Sequence, residues 1–126
     1  MTEVHLDADF LIRAASGAGE ERRRLLELMD EDTPVSMSAI AWYEFVRGPR
    51  SPEQLALASL VIDEDDVIPF DVALARMAGE TFRSLGSPRR RANDVAIGTT
   101  AAAHVATLWT LNRKDFEGIP DLELGP

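Results

Sequence analysis

Short apolar runs alternate with longer amphipathic segments along this chain. The runs are short enough for buried strands, which we predict at residues 3–7, 35–37, 67–70, 107–111 and 122–124. The segments between them have the residue spacing of helices. Strands that alternate with helices are typical of a parallel sheet covered on both faces, so the pattern predicts an α/β fold. No repeat or linker interrupts it, and we expect a single domain over residues 1–126.

Capping and breaking residues indicate where the helices begin and end. Ser38 and Asp71 stand where helix N-caps belong, and Pro52 stands at the first position of another helix. The segments Ser16-Gly17-Ala18-Gly19 and Gly48-Pro49 break helices. The predicted helices are a short one from about Asp9 to Ser16 and then residues 20–30, 39–47, 52–62, 72–85 and 95–105.

The charge of the chain is acidic, but its cations are clustered. Net charge is −9, which argues against a general nucleic-acid coat. All but one of the 13 cations are arginine, and eight of the twelve arginines lie at residues 22–24, at Arg47 with Arg50, and at residues 89–91. Such clusters could hold RNA locally, receive an acidic partner, or form solvated helix surface.

The composition also excludes some classes of site and predicts a location. There is no cysteine, so disulfides and cysteine-based zinc sites are excluded. No apolar run approaches the ~20 residues of a membrane helix. We therefore expect a cytoplasmic protein without a membrane partner.

Four carboxylates lie at the exits of predicted strands or on helices entered from them: Asp7, Glu44, Asp94 and Asp115. In parallel sheets, functional residues gather at the carboxyl ends of the strands. Oxygen ligands without histidine or cysteine select Mg²⁺ or Mn²⁺. The chemistry that needs such an arrangement is phosphodiester hydrolysis.

The first two carboxylates each have an alternative role. Asp7 ends the first strand and would also serve as a helix N-cap. Glu44 lies in a helix with apolar residues on nearly every side, which we expect to be largely buried. A buried carboxylate has to be paired, either with a metal ion or with Arg47 three residues later.

The last two carboxylates are equally open. Asp94 begins a helix rich in small residues and would be either a ligand or a cap. Asp115 would be a ligand, a turn residue or the ion-pair partner of Lys114. Asn112 is a competing polar residue nearer to the strand end.

Taken together, these segments resemble PIN-domain ribonucleases, and specifically the VapC-type toxins of bacterial toxin–antitoxin pairs. The resemblance covers nearly the whole chain. It rests on four motifs in order: Leu6-Asp7-Ala8-Asp9, Ser38-Ala39-Ile40 leading to Glu44 and Arg47-Gly48, Asn93-Asp94-Val95-Ala96-Ile97, and Thr110-Leu111-Asn112-Arg113-Lys114-Asp115-Phe116.

The resemblance implies a PIN-like three-layer fold with a short, mostly parallel sheet of four to five strands flanked by helices. It implies an endoribonuclease dependent on Mg²⁺ or Mn²⁺, inhibition by a cognate antitoxin, and frequent homodimerisation. Asp7, Glu44 and Asp94 match the core acids of the family. Asn112 stands where family members often carry an acid, and Asp115 is the candidate to replace it. Asp9 and Ser38 match auxiliary positions near the family's site.

The resulting hypothesis is a toxin whose carboxylates hold Mg²⁺ and activate water against an RNA phosphodiester. Arg89, Arg90 and Arg91, just before Asp94, are candidates to hold substrate phosphates. One alternative is a non-catalytic acidic binding module whose acids merely cap helices. Another is a receiver-like Mg²⁺-dependent phosphoacceptor, which would use Lys114, the only lysine.

Overall fold

The computed structural model describes residues 2–17 and 19–126. The described residues form five strands: β1 (Val4–Leu6), β2 (Val35–Ser38), β3 (Val67–Ile68), β4 (Thr107–Trp109) and β5 (Glu123–Leu124). They also form six α-helices: α1 (Ala8–Ser16), α2 (Glu20–Asp30), α3 (Ala39–Val46), α4 (Pro52–Val61), α5 (Val72–Ser84) and α6 (Ala92–Ala103).

The strands form one parallel sheet in the order β3-β2-β1-β4-β5. The first strand of the sequence therefore lies in the middle, where His5 is aligned with Ser36 of β2 and with Leu108 of β4. The predicted α/β fold with a parallel sheet flanked by helices is confirmed. Several strands are shorter than predicted, because residues such as Asp7 leave the sheet to begin the next helix.

The predicted N-caps are confirmed by hydrogen bonds. Ser38 Oγ accepts from the Ala41 amide at 3.0 Å, and Asp71 Oδ1 accepts from the Leu74 amide at 2.9 Å. The predicted break at residues 16–19 includes Ala18, which lies outside the described residues. α6 begins three residues earlier than predicted, because a 3₁₀ turn at Arg89–Arg91 leads directly into it.

The core lies between the sheet and the helices on its two faces. Its largest buried side chains include Leu6, Phe10, Leu11, Met37 and Leu108. α1 packs against α2, α3 and α4, whereas α5 packs against α6. None of the helices in the described part of the chain is both long and apolar enough to cross a membrane.

The expectation that the helix around Glu44 is largely buried is wrong. In α3 only Ala41 and Phe45 are buried, whereas Tyr43 is 59% exposed and Val46 is 44% exposed. α3 contacts α1, α6 and the β2–β3 side of the sheet with one face, and its other face meets solvent. Part of the apolar surface of α3 is therefore not covered by the rest of the described chain.

Candidate active site

The carboxyl ends of β1, β2 and β4 lie side by side, because β1 pairs with both of the other strands. A cavity of about 360 Å³ opens at this edge of the sheet. It is lined by Asp7, Ala8, Asp9, Ile12, Glu44, Arg47, Gly48, Arg50, Asp94 and Asn112. Ligands of parallel-sheet proteins bind at this edge, so the cavity is the candidate active site.

Asp7 is the residue at which β1 ends and α1 begins. Its Oδ1 accepts a hydrogen bond from the Ala8 amide at 2.9 Å, and its Oδ2 accepts one from Thr110 Oγ1 at 2.8 Å. Because Leu6 is aligned with Trp109 in the sheet, the residues that follow them emerge side by side. Asp7 thus both caps a helix and lines the cavity, so its two predicted roles are compatible.

Asp9 joins the first turn of α1 to the segment after β4. Its Oδ2 accepts from Asn112 Nδ2 at 2.6 Å, and its Oδ1 accepts from the Leu111 amide at 3.3 Å. The side chain of Asn112 is thereby directed at Asp9. These bonds hold two walls of the cavity together across more than a hundred residues of sequence.

Asp94 lies in the first turn of α6, where the helix dipole ordinarily stabilises a carboxylate. Its pKa is nevertheless raised to about 6, chiefly by burial and then by the charges of Asp115, Glu44 and Asp9, while Arg91 lowers it. Asp94 does not cap α6, which begins at Ala92, so the capping alternative is wrong. Burial and repulsion between carboxylates outweigh the dipole at this position.

Within the described residues, no lysine or arginine neutralises the carboxylate cluster by ion-pair contact. The pKa of Asp7 is raised to about 7, chiefly by burial and then by the charge of Asp9, while hydrogen bonds from Thr110 and Ala8 lower it. In residues 2–17 and 19–126, no lysine or arginine nitrogen lies within the 4.0 Å ion-pair distance of a carboxylate that lines the cavity. The cluster is therefore suited to a cation supplied from outside the chain.

Glu44 completes the cavity from the side of α3. It is half-buried and close enough to Asp94 for its charge to raise the pKa of that residue. The predicted alternative, an ion pair with Arg47, does not form. The Arg47 guanidinium lies instead over the Tyr43 ring, with its Cζ 5.5 Å from the ring centroid.

Asn112 and Asp115 occupy different positions rather than competing for one. Asn112 lines the carboxylate cavity beside Asp9. Asp115 lies in the following 3₁₀ turn and is the charge that most raises the pKa of Asp94. It is not ion-paired to Lys114 among the described contacts.

Ser38 and the arginines at residues 89–91 are absent from the cavity lining. Ser38 is buried as the N-cap of α3. Arg91 is bound to the β4–β5 connection, with its Nε donating to the Asp115 carbonyl at 2.9 Å. Arg89 and Arg90 are exposed. Their role in RNA binding stays a prediction.

Two features of the site were not predicted. Thr110 is 8% exposed, and its hydroxyl holds Asp7. The sequence could have pointed to Thr110 only through its position near the end of a predicted strand, the strand that the structure pairs with β1. Arg50 lines the cavity although it lies four residues beyond the end of α3, and only its nearness to Arg47 in the sequence pointed to it.

The donor set of the cavity fits a hard divalent cation. Its carboxylate and amide oxygens are the ligand type that Mg²⁺ and Mn²⁺ prefer. Within the described residues, no group of three or more histidine, aspartate or glutamate side chains is already arranged as a metal site. The residues fit the ion by chemistry and charge, and their side chains would have to close around it.

Comparison with known proteins identifies the fold. A model of the PIN domain matches residues 4–122. The chain belongs to the PIN-domain family. PIN-domain toxins are generally nucleases of the hydrolase class, which makes a nuclease the activity that family membership suggests. No curated protein sequence matches the chain.

Several solved structures similar to this chain are toxin–antitoxin complexes. The PIN domain is similar to a chain of VapBC2 from Rickettsia felis bound to a promoter DNA fragment, with TM-score 0.73, 22% identity and coverage of 98% of this chain and 97% of that one. A chain of a Klebsiella pneumoniae toxin–antitoxin complex gives TM-score 0.70, 26% identity and coverage of 94% of each chain. The DNA-bound VapBC of Salmonella typhimurium gives TM-score 0.73 and 22% identity, covering 99% of this chain and 98% of that chain. The resemblance to VapC-type PIN domains is confirmed.

Proposed function

We propose that this PIN domain is an endoribonuclease dependent on Mg²⁺ or Mn²⁺ and acts as the toxin of a toxin–antitoxin pair. The observation that supports it most is the cavity at the carboxyl edge of the sheet, where Asp7, Asp9, Glu44 and Asp94 stand together. No lysine or arginine of the described residues is ion-paired with them. Such a cluster is costly to assemble unless it binds a positively charged group.

The polar residues in and around the cavity that this proposal uses have separate tasks. Asp7, Glu44 and Asp94 hold the ion, and Asp115 contributes from the side of Asp94, directly or through water. When bound, the ion lowers the pKa of a water molecule and stabilises charge on the phosphate under attack. Thr110 fixes the carboxylate of Asp7, and Asn112 fixes that of Asp9.

The proposed toxin role rests on similarity to the toxin–antitoxin complexes and on an exposed apolar surface. α3 and α4 leave Tyr43, Val46, Leu55 and Leu60 exposed, each by 44% or more. Exposed apolar groups of this kind favour a protein partner. An antitoxin is the proposed partner, and the homodimer implied by the resemblance is checked by the molar mass in solution.

The two alternatives are less well supported. A receiver-like phosphoacceptor would need Lys114 beside the carboxylates, but Lys114 is exposed and absent from the cavity lining. A binding module that uses its acids only as caps does not account for Asp94, which caps nothing, or for Asp9, which binds the β4 exit.

Cleavage of a labelled single-stranded RNA by the purified protein tests the proposal. We expect cleavage with Mg²⁺ or Mn²⁺, none with EDTA, and a loss of at least ~100-fold in the Asp94→Asn variant, because a ligand of the catalytic ion is removed. Asp30→Asn, at the exposed end of α2, is the matched control and should cleave normally. Undiminished cleavage by Asp94→Asn, or cleavage in EDTA, would contradict the proposal.

Two further measurements separate this proposal from its alternatives. A DNA strand of the same sequence shows whether the activity is confined to RNA. Thermal unfolding with and without Mg²⁺ tests ion binding itself, since an ion that binds only the folded state raises the unfolding temperature. A non-catalytic acidic module predicts neither cleavage nor this increase.

A further inference from the structure

Two arginines line the carboxylate cavity, and neither is paired with its carboxylates. Arg47 directly follows α3, and Arg50 lies three residues later. In the described part of the chain, ion pairs involve other arginines and none includes Arg47 or Arg50. An arginine beside several carboxylates would normally pair with one of them, so its separation from them needs a structural cause.

For Arg50, the cause is a set of bonds that hold its guanidinium in place. Nε donates to the Phe45 carbonyl at 2.8 Å, and Nη1 donates to the Pro49 carbonyl at 3.0 Å. The guanidinium also lies over the Phe45 ring, with Cζ 5.0 Å from the ring centroid. No protein partner for Nη2 is found among the described hydrogen bonds.

Gly48 is part of the same arrangement. A Cβ built at Gly48 would lie 2.7 Å from Arg50 Nη2 and 3.1 Å from its Cζ. The missing side chain therefore lets the guanidinium rest against the backbone at the cavity wall. Arg47 differs, since its side chain is exposed and contacts only the Tyr43 ring among the described side-chain contacts.

The bound guanidinium is suited to a phosphate. Arginine presents several N–H donors in one plane, matches phosphate geometry and stays charged at all relevant pH values. A side chain that is already fixed loses less conformational entropy when it binds. In a chain of net charge −9, affinity for a nucleic acid depends on such local cations.

We propose that Arg50 is a substrate-binding residue that holds a backbone phosphate of the RNA beside the carboxylate cavity. This inference rests on the proposed nuclease function and assigns it a phosphate contact on the α3 side of the cavity. The competing explanation is structural: Arg50 would only cap the last carbonyls of α3, as arginines at helix C-termini often do.

RNA binding, measured separately from cleavage, tests the inference. Anisotropy of a fluorescent single-stranded RNA is measured with the Asp94→Asn variant in Mg²⁺ at several salt concentrations, and then with Arg50→Gln added. We expect Kd to rise by about tenfold, the lower end of the effect of a charge-assisted hydrogen bond. The slope of log K against log salt should become shallower by about 0.7, as expected for one lost phosphate contact to a single strand.

Three further variants, each made in the Asp94→Asn protein, separate the effect of the charge of Arg50 from the effects of its position and of a general loss of charge. Arg50→Lys keeps the charge and should retain the salt slope while restoring only part of the affinity. Gly48→Ala keeps the net charge but displaces the guanidinium, and should also weaken binding, which covers the case that Arg50→Gln does not fold. Arg76→Gln, on the exposed face of α5, removes one charge elsewhere and should leave both Kd and slope unchanged.

The outcomes distinguish this inference from the proposed function. A folded Arg50→Gln variant with a lower unfolding temperature but unchanged Kd and salt slope would show a purely structural role and overturn the inference. RNA binding that depends on Arg50 without any cleavage by the wild-type protein would support the inference and overturn the nuclease. If the Asp94→Asn reference binds no RNA, the KM for RNA cleavage by Arg50→Gln in the otherwise wild-type protein decides, and a KM equal to that of the wild type would overturn the inference.

Discussion

At the scale of single residues, the site depends on a hydroxyl that joins two strands. Thr110 Oγ1 donates to Asp7 at 2.8 Å and accepts from the Asn112 amide at 3.0 Å. Both bonds are buried or half-buried, and without the hydroxyl Asp7 Oδ2 and the Asn112 amide would each lose this partner. Thr110 is thus the residue that fixes the buried end of the carboxylate cluster.

Replacing Thr110 by valine keeps its shape but removes these bonds. We expect the free energy of unfolding to fall by about 1–3 kcal/mol, the cost of leaving buried polar groups without partners. Urea unfolding measures this change. Thr110→Ser keeps the hydroxyl and is the control; an equal loss in both variants would mean that the methyl group, rather than the hydroxyl, stabilises this position.

The site residues were predictable to different degrees. Asp7 and Asp94 follow from their places after a strand and at the start of a helix, since carboxyl ends meet in a parallel sheet. The separate positions of Asn112 and Asp115 were not predictable, because they depend on the 3₁₀ turn after β4. Arg50 could not be assigned either, since its position is set by a loop conformation and by the absence of a side chain at Gly48.

At the scale of elements, α6 carries Asp94 and packs closely against residues 116–122, which follow β4. Its Gly98 allows this approach: a Cβ there would lie 2.6 Å from Ile119 Cδ1 and 3.2 Å from Leu122 and Phe116 side-chain atoms. Ile119 and Phe116 are buried and have little room to move. α6 is rich in small residues, and Gly98 is the one that this contact requires.

The same substitution at two helical glycines should have opposite effects. Gly98→Ala forces a buried contact to shift, and we expect it to lower stability by about 1–2 kcal/mol even after the gain in helix propensity. Gly79→Ala in α5 meets nothing within 4 Å and should raise stability by about 0.5–1 kcal/mol. Thermal unfolding of both variants checks the pair; a gain at Gly98 would mean that the packing there is loose.

The elements were largely predictable, and the failures have a common cause. The bounds of α2 and the caps at Ser38 and Asp71 follow from local rules that depend on few neighbours. The burial of α3 was wrongly predicted, because an apolar sequence does not say which of its sides a neighbour will cover. Tyr43 and Val46 lie on the side of α3 that is left exposed.

At the scale of the whole molecule, stability and the proposed activity oppose each other. The raised pKa values of Asp7 and Asp94 mean that the folded chain holds carboxylates in an unfavourable environment when no cation is bound. Sites built for function commonly reduce stability in this way. A divalent ion would relieve the repulsion and link folding to its own binding.

Removing one negative charge from the carboxylate cluster should therefore stabilise the ion-free protein. In EDTA at neutral pH, we expect Asp94→Asn to unfold at a higher temperature than the wild type, by an amount equivalent to roughly 0.5–2 kcal/mol. With Mg²⁺ the difference should shrink or reverse, since only the wild type keeps every ligand. Calorimetry in both conditions measures this; equal stability in EDTA would mean that Asp94 is not strained by its neighbours.

The central place of β1 also sets the order in which the molecule can be made. β1 leaves the ribosome first, but β4, its partner on one side, follows about a hundred residues later. A nascent chain already carries Asp7, Glu44 and Asp94 while the middle of its sheet still has an open edge. Such long-range pairing closes late in folding. The cavity can therefore assemble only after β4 and Thr110 have been synthesised, although three of the candidate carboxylates precede them in the chain.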